Sequence, residues 1–284
     1  MIAITGATGQ LGRLVITELL GRVPATDVVA LVRDPAKAQD LAAQGVTVRP
    51  FDYNQPASLA EALAGVDRLL LVSSNEIGQR GQQHKAVIQA AKQAGVKLVA
   101  YTSVLHADTS SLGLAAEHLE TERALSQSGI PHVLLRNGWY NENYTAGIPS
   151  ALEHGALLGA AGEGKIASAA RADYAAAAAV VLTSEGQAGK VYELAGDQAY
   201  TLAELAAHVA QQSGKRVVYN NLPQADYRAV LIQVGLPQVI AELLSDSDAA
   251  AAKGALFDGA KQLSRLIGRP TTPIADSVGQ ALKV

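Results

Sequence analysis

Gly6, Gly9 and Gly12 stand three apart in Ile2-Ala3-Ile4-Thr5-Gly6-Ala7-Thr8-Gly9-Gln10-Leu11-Gly12, where a short apolar run of β type stops and a helical pattern begins at once. A helix that starts this way turns unbonded N–H groups and the positive end of its dipole outward, which is the chemistry of a phosphate cradle. Glycine meets three needs in such a cradle. The turn out of the strand is tight, a pyrophosphate must approach where a Cβ would intrude, and the helix must pack closely on the sheet. The spacing departs from the usual Gly-x-Gly-x-x-Gly, and an ordinary strand-to-helix turn also uses glycines. The order strand, glycines, helix makes a dinucleotide the first expectation for the ligand.

Arg33 ends the second apolar run. An NAD-preferring site usually carries an acid near there for the ribose 2′-hydroxyl. A guanidinium instead offers several donors to a 2′-phosphate and can stack on adenine. Arg33 therefore points to NADP(H), against the alternative of a solvated strand-end charge, and Asp34 beside it blurs the signal.

Ligands of open α/β sheets lie beyond the carboxyl ends of the strands. Three further segments fall there: Ser73-Ser74-Asn75, Tyr101-Thr102-Ser103 and Asn137-Gly138-Trp139-Tyr140-Asn141-Glu142. They share one rim with the glycine loop and are candidates for the nicotinamide half of the cofactor. Gly138 permits close backbone approach, and Trp139 and Tyr140 either wall an apolar pocket or pack in the core.

Elements must hold these residues on one rim. Short apolar runs (28–32, 46–49, 68–72, 97–102, 132–136 and, later, 191–194) alternate with helical stretches (36–44, 56–63, 82–94, 117–128 and 173–183). That rhythm predicts right-handed crossovers and a parallel sheet. The expected fold is α/β: a Rossmann-like, doubly wound parallel sheet over residues 1–140, with a smaller mixed α/β C-terminal portion over 141–284 that carries the substrate pocket. The run at 191–194 is expected to return to the sheet. Gly45, Gly95 and Gly129 each follow a helical stretch and suit left-handed C-caps. The segments 202–213, 224–234 and 239–244 read as helices, and the alanine run 175–179 as a helix packed closely on the sheet.

Composition narrows the classes. The 284 residues are 49% hydrophobic and 17% charged, enough for a sizeable core. A net charge of −3 gives no sign of a nucleic-acid partner. The chain has no cysteine, which excludes disulfides, thiolate catalysis and cysteine-ligated zinc, and its six histidines are scattered. No metal site is expected. No signal peptide or membrane span is evident, so the expectation is a cytoplasmic protein with no membrane partner. A homo-oligomer is left open.

Gly6-Ala7-Thr8-Gly9-Gln10-Leu11-Gly12, Arg33, Ser73-Ser74-Asn75 and Arg136-Asn137-Gly138-Trp139-Tyr140 together resemble the NmrA-like branch of atypical short-chain dehydrogenases/reductases. The likeness is stronger still to its NADPH-dependent quinone oxidoreductase type 2 subgroup. Tyr101-Thr102-Ser103-Val104-Leu105-His106-Ala107-Asp108 and Arg171-Ala172-Asp173-Tyr174-Ala175 share in it. The resemblance implies NADPH held by Gly6, Ala7, Thr8, Gly9, Gln10, Leu11, Arg33, Ser73, Ser74, Asn75, Asn137, Gly138, Trp139, Tyr140, Asn141 and Glu142. It also implies a substrate pocket between the nicotinamide and the C-terminal part, and hydride transfer to a small-molecule quinone without a flavin.

One departure from the wider superfamily bears on mechanism. The usual reductases use a Tyr-x-x-x-Lys dyad, in which tyrosine protonates the substrate oxygen. Here the corresponding region reads Leu114-Ala115-Ala116-Glu117-His118-Leu119-Glu120-Thr121-Glu122, which puts Leu114 at the tyrosine position and His118 at the lysine position. Sugar-nucleotide epimerase or ketone reductase chemistry is thereby disfavoured. A quinone is a strong hydride acceptor whose reduced oxygens take protons from water, so its reduction rests mainly on proximity and orientation. His118 is either a proton donor or a surface or capping histidine, and no catalytic residue is assigned. The alternative to an enzyme is an NADP(H)-binding redox sensor that regulates a transcription factor.

Overall fold

A computed structural model of the chain describes residues 1–283. Its elements run β1 Ile2–Ile4, α1 Gln10–Leu20, β2 Val28–Val32, α2 Gln39–Ala43, β3 Thr47–Pro50, α3 Pro56–Ala62, β4 Arg68–Leu71, α4 Arg80–Gln93, β5 Leu98–Val104, α5 Ala115–Ser128 and β6 His132–Asn137. There follow α6 Asn141–Thr145, α7 Ile148–His154, β7 Ala156–Gly159, α8 Arg171–Thr183, β8 Val191–Leu194, α9 Leu202–Ser213, β9 Val218–Asn221, α10 Gln224–Gln233, α11 Gln238–Ala251, α12 Gln262–Ile267 and α13 Ile274–Ala281.

The seven-stranded sheet has the order β3-β2-β1-β4-β5-β6-β8. β1 pairs in parallel with both β2 and β4, with Ile2 opposite Val28 on one side and Arg68 on the other. The order reverses between β1 and β4, which makes their carboxyl ends the topological switch point where such folds bind ligands. β8 joins beside β6, with Leu134 N donating to Lys190 O and Gly138 N to Leu194 O. Central strands are buried throughout, as in β2 (VVALV) and β5 (LVAYTSV). Burial along the whole strand, with a continuous apolar run in β2, marks parallel strands covered on both faces.

The chain forms two compact units. The first comprises Met1–Ala107, Ala116–Asn137 and Arg171–Tyr192. On one face of its sheet, alternate strand residues Ala3, Val29, Leu31, Leu69, Leu71, Val99 and Tyr101 form a core with Leu59 and with Val87, Ile88 and Ala91 of α4. On the other, α1 buries Leu11, Val15, Ile16 and Leu19 and packs on α8. The run Ala175–Ala179 in α8 is fully buried there, its short side chains letting two helices and the sheet approach closely. Gly45, Gly95 and Gly129 have φ of 88°, 74° and 77°, the left-handed conformation expected for them.

The second unit comprises Asp108–Ala115, Gly138–Ala170 and the residues from Glu193 onward. It contains a parallel pair, β7 with β9, in which Ala156 faces Val218. α9 starts on a capping box, in which Thr201 accepts from Glu204 N and Glu204 reaches back to Thr201 N. No helix among the described residues is long and apolar enough to cross a membrane.

Candidate functional site

A cavity of about 550 Å³ opens at the carboxyl ends of β1 to β4, on the switch point. It gathers Gly6, Thr8, Gly9, Gln10, Leu11, Arg33, Ser73, Ser74 and Asn75 from the residues singled out in the sequence. Ala7 lies buried beneath the loop, its N–H donating to Leu31 O at 3.3 Å.

The glycine loop has the geometry of a cradle. Gly6 sits at φ +57°, a conformation that leaves β1 sharply and that favours glycine. Gly9 is the N-cap of α1, with no side-chain cap and no acid in the first turn. The first N–H groups of α1 are thus left for a ligand. A Cβ on Gly12 would overlap Gly6 O and lie 2.9 Å from Ala7 Cα, so α1 can touch the loop only with glycine here. A pyrophosphate fits this cradle on the structure's own terms: donors without partners, a positive helix end and no Cβ in the way.

The charges beyond β2 are sorted by their partners. Asp34 turns away from the cavity, its carboxylate accepting from Ala36 N at 3.0 Å to cap the 3₁₀ turn Pro35–Ala38. Arg33 lines the cavity, and so does Lys37. These two cations suit a 2′-phosphate, although the acids Asp52 and Glu76 line the same cavity. Lys37 escaped the sequence reading because it lies five residues past the strand, within a turn. Glu76 also lines the cavity and pairs with Arg33 at 3.0 Å. Tyr53 and Asn54, just beyond β3, complete the far wall. The strand-end rule would have found them had it been applied to that strand.

The segment after β4 is held from below and from one side. Thr5 Oγ1 accepts from Val72 N at 2.9 Å, and Thr102 Oγ1 from Ser73 N at 2.8 Å. Three side chains of α4 then take every polar group of Ser74. Arg80 Nε donates to its carbonyl at 2.7 Å, Gln83 Oε1 accepts from its hydroxyl at 2.5 Å, and His84 Nε2 accepts from its N–H at 2.9 Å. The spacing i, i+3, i+4 puts all three on one face of the helix. Because Nε2 accepts, the proton of His84 sits on Nδ1 and is directed at Thr121 Oγ1, 2.9 Å away. Burial lowers the His84 pKa to about 3, with the nearby Arg80 charge adding to the effect, so the ring is neutral and the tautomer fixed.

His118 is neither a surface nor a capping histidine. It is 5% exposed, and its Nδ1 lies 2.8 Å from the Tyr101 hydroxyl. Burial, then the Arg80 charge and His84, push its pKa well below the ordinary value. Burial likewise raises that of Tyr101. The pair is therefore a neutral phenol and a neutral imidazole, unlike a tyrosine activated by a lysine cation.

Asn137 ends β6, and its buried Oδ1 has no hydrogen-bond partner. An unsatisfied buried acceptor costs about 1–3 kcal/mol unless a ligand donor meets it. Gly138 to Glu142 belong to the second unit. There Asn141 is committed internally, with Nδ2 donating to Thr272 O and Ser277 Oγ and Oδ1 accepting from Ser168. Arg136, one residue before Asn137, forms a buried pair with Glu122, Nε to Oε1 at 3.0 Å and Nη2 to Oε2 at 2.7 Å. Ser103 Oγ donates to the same carboxylate at 2.5 Å. These bonds tie the ends of β5 and β6 to α5. No group of His, Asp or Glu among the described residues is arranged to hold a metal ion.

A model of the NmrA-like family matches residues 1–272. The chain belongs to this family. Within it, the chain is 63% identical to quinone oxidoreductase 2 of Escherichia coli K12, over 100% of this chain and 99% of that one. A crystal structure of the NADPH-dependent quinone oxidoreductase of E. coli complexed with NADPH superposes with a TM-score of 0.98, covering 99% of this chain and 100% of the other. The triphenylmethane reductase of Citrobacter sp. complexed with NADP(H) is 42% identical, with a TM-score of 0.95 over 99% of this chain and 100% of the other.

Proposed function

We propose that the protein is an NADPH-dependent quinone oxidoreductase. The observation that carries this reading is the 63% identity, end to end, to a quinone oxidoreductase, on a chain whose glycine cradle and two rim cations fit NADPH. NADPH, when bound, supplies a hydride from its nicotinamide ring. The protein supplies the rest.

The free N–H groups at the start of α1 and the Gly6 to Leu11 loop hold the pyrophosphate. Arg33 and Lys37 take the 2′-phosphate. Ser73, Ser74 and Asn75 form the side wall, kept rigid by Arg80, Gln83 and His84. The unpaired Oδ1 of Asn137 offers an acceptor to an amide N–H. No side chain of the described cleft is set up as an acid. The neutral Tyr101–His118 pair does not replace the Tyr-x-x-x-Lys dyad, and the hydroquinone oxygens draw their protons from water. Orientation of the two reactants accounts for most of the acceleration.

Arg33→Ala separates the cofactors. In steady-state assays with a small benzoquinone, KM for NADPH should rise about tenfold or more, while KM for NADH changes less than about twofold, as expected for loss of a charged phosphate partner. Equal losses for both would overturn the assignment of Arg33.

A further inference from the structure

Glu76 places a carboxylate in the cofactor cavity. Its Oε1 takes Arg33 Nη1 at 3.0 Å, and its Oε2 accepts from Gln83 Nε2 at 2.7 Å. The same Gln83 amide nitrogen lies 3.1 Å from Asn54 Oδ1, and Gln83 Oε1 takes the Ser74 hydroxyl. Glu76 N is itself directed at Ser74 Oγ, 3.2 Å away. The carboxylate is thus fixed at its own end, whereas the Arg33 side chain is 66% exposed and reaches it from across the cleft.

The sheet order shows what this pair spans. Arg33 follows β2 and Glu76 follows β4, with β1 between them. Two strand spacings, about 10 Å, separate those ends. The bridge therefore crosses the end of β1, whose following turn is the glycine cradle. Arg33 is also the group that a 2′-phosphate needs. An ion pair this exposed is worth little by itself, so it opens at small cost. The carboxylate stays behind when it opens, held by Gln83, and repels a second anion brought to the same guanidinium.

We propose that Glu76 is a specificity-determining residue that competes with the 2′-phosphate for Arg33 and so lowers the preference of the site for NADPH over NADH. It extends the reading of Arg33 as the 2′-phosphate ligand and rests on it. Glu76 acts chiefly on ligands that carry the extra phosphate, because that group alone competes with its carboxylate for the Arg33 charge.

Isothermal titration of the full-length protein with adenosine 2′,5′-bisphosphate, AMP, NADPH and NADH tests this without turnover. In Glu76→Gln, which keeps an oxygen for Gln83, the bisphosphate and NADPH should bind roughly three- to fivefold more tightly, the upper range of a solvent-screened charge pair. AMP and NADH should change less than about twofold. Glu76→Asp, which keeps the charge, should stay near the parent for all four ligands. Weaker NADPH binding in Glu76→Gln, or an equal change with and without the 2′-phosphate, overturns the proposal. If the parent protein fails to prefer the bisphosphate over AMP, the reading of Arg33 falls first, which distinguishes the two failures.

Discussion

Replacing Gly12 with alanine should weaken NADPH binding by at least about thirtyfold, equivalent to about 2 kcal/mol. The added methyl would overlap Gly6 O and press on Ala7 Cα, both of them backbone atoms of the cradle itself. Neither can rotate away as a side chain would, so either α1 lifts from the loop or the loop flattens, and the N–H groups lose their common aim. Two other glycines grade the effect. At Gly9 a Cβ meets only Gly6 O, at 3.1 Å, so Gly9→Ala should bind NADPH with a smaller loss. Gly21, at the far end of α1, has an ordinary helical φ of −79° and a nearest contact of 3.6 Å. Gly21→Ala should therefore bind as the parent does. Equal affinity in Gly12→Ala and the parent, measured by fluorescence titration, would contradict the placement of the pyrophosphate.

Arg136→Met should lower stability by about 3–5 kcal/mol, the cost of leaving a buried carboxylate without its counter-charge. Arg136 and Glu122 side chains are only 9% and 6% exposed, so water cannot replace the lost guanidinium. Two parallel N–H···O bonds join them, with the Ser103 hydroxyl as a third donor. The double variant Arg136→Met, Glu122→Leu should recover most of the loss, because it removes the stranded charge as well. Urea unfolding of the three proteins checks both statements. A loss below about 1 kcal/mol in the single variant would mean that the carboxylate finds other compensation.

The sheet was legible because its central strands are buried on both faces. Ile2–Ile4 and Val28–Val32 read as unbroken apolar runs, and β5 opens on one before Thr102 and Ser103. The glycine spacing, Arg33 and the Ser73–Asn75 wall followed from the same logic of strand ends. β7 and β9 were not legible. Both are four residues long and mostly half-buried or exposed; β7 (ALLG) is a short apolar stretch between glycines that a turn could equally hold, and β9 (VYNN) shows neither an apolar run nor a clean alternation. The short helices α6, α7 and α12 lack the length for a periodic pattern. Inside the cleft, the polar start of α4, Arg80-Gly81-Gln82-Gln83-His84, reads as a solvated helix face. Three of those side chains are in fact buried, because the backbone of the loop after β4 has to find partners away from water. His118 went astray for a related reason. Its burial depends on Tyr101, seventeen residues earlier, and no local pattern reports that contact.

The central claim is hydride transfer from NADPH to a quinone without a flavin. It is met most directly by mixing the purified, flavin-free protein with NADPH and a small benzoquinone, and following both NADPH loss and hydroquinone formation. The account predicts one hydroquinone per NADPH consumed, at a rate that saturates in each reactant. NADPH binding with no turnover on any quinone would contradict it.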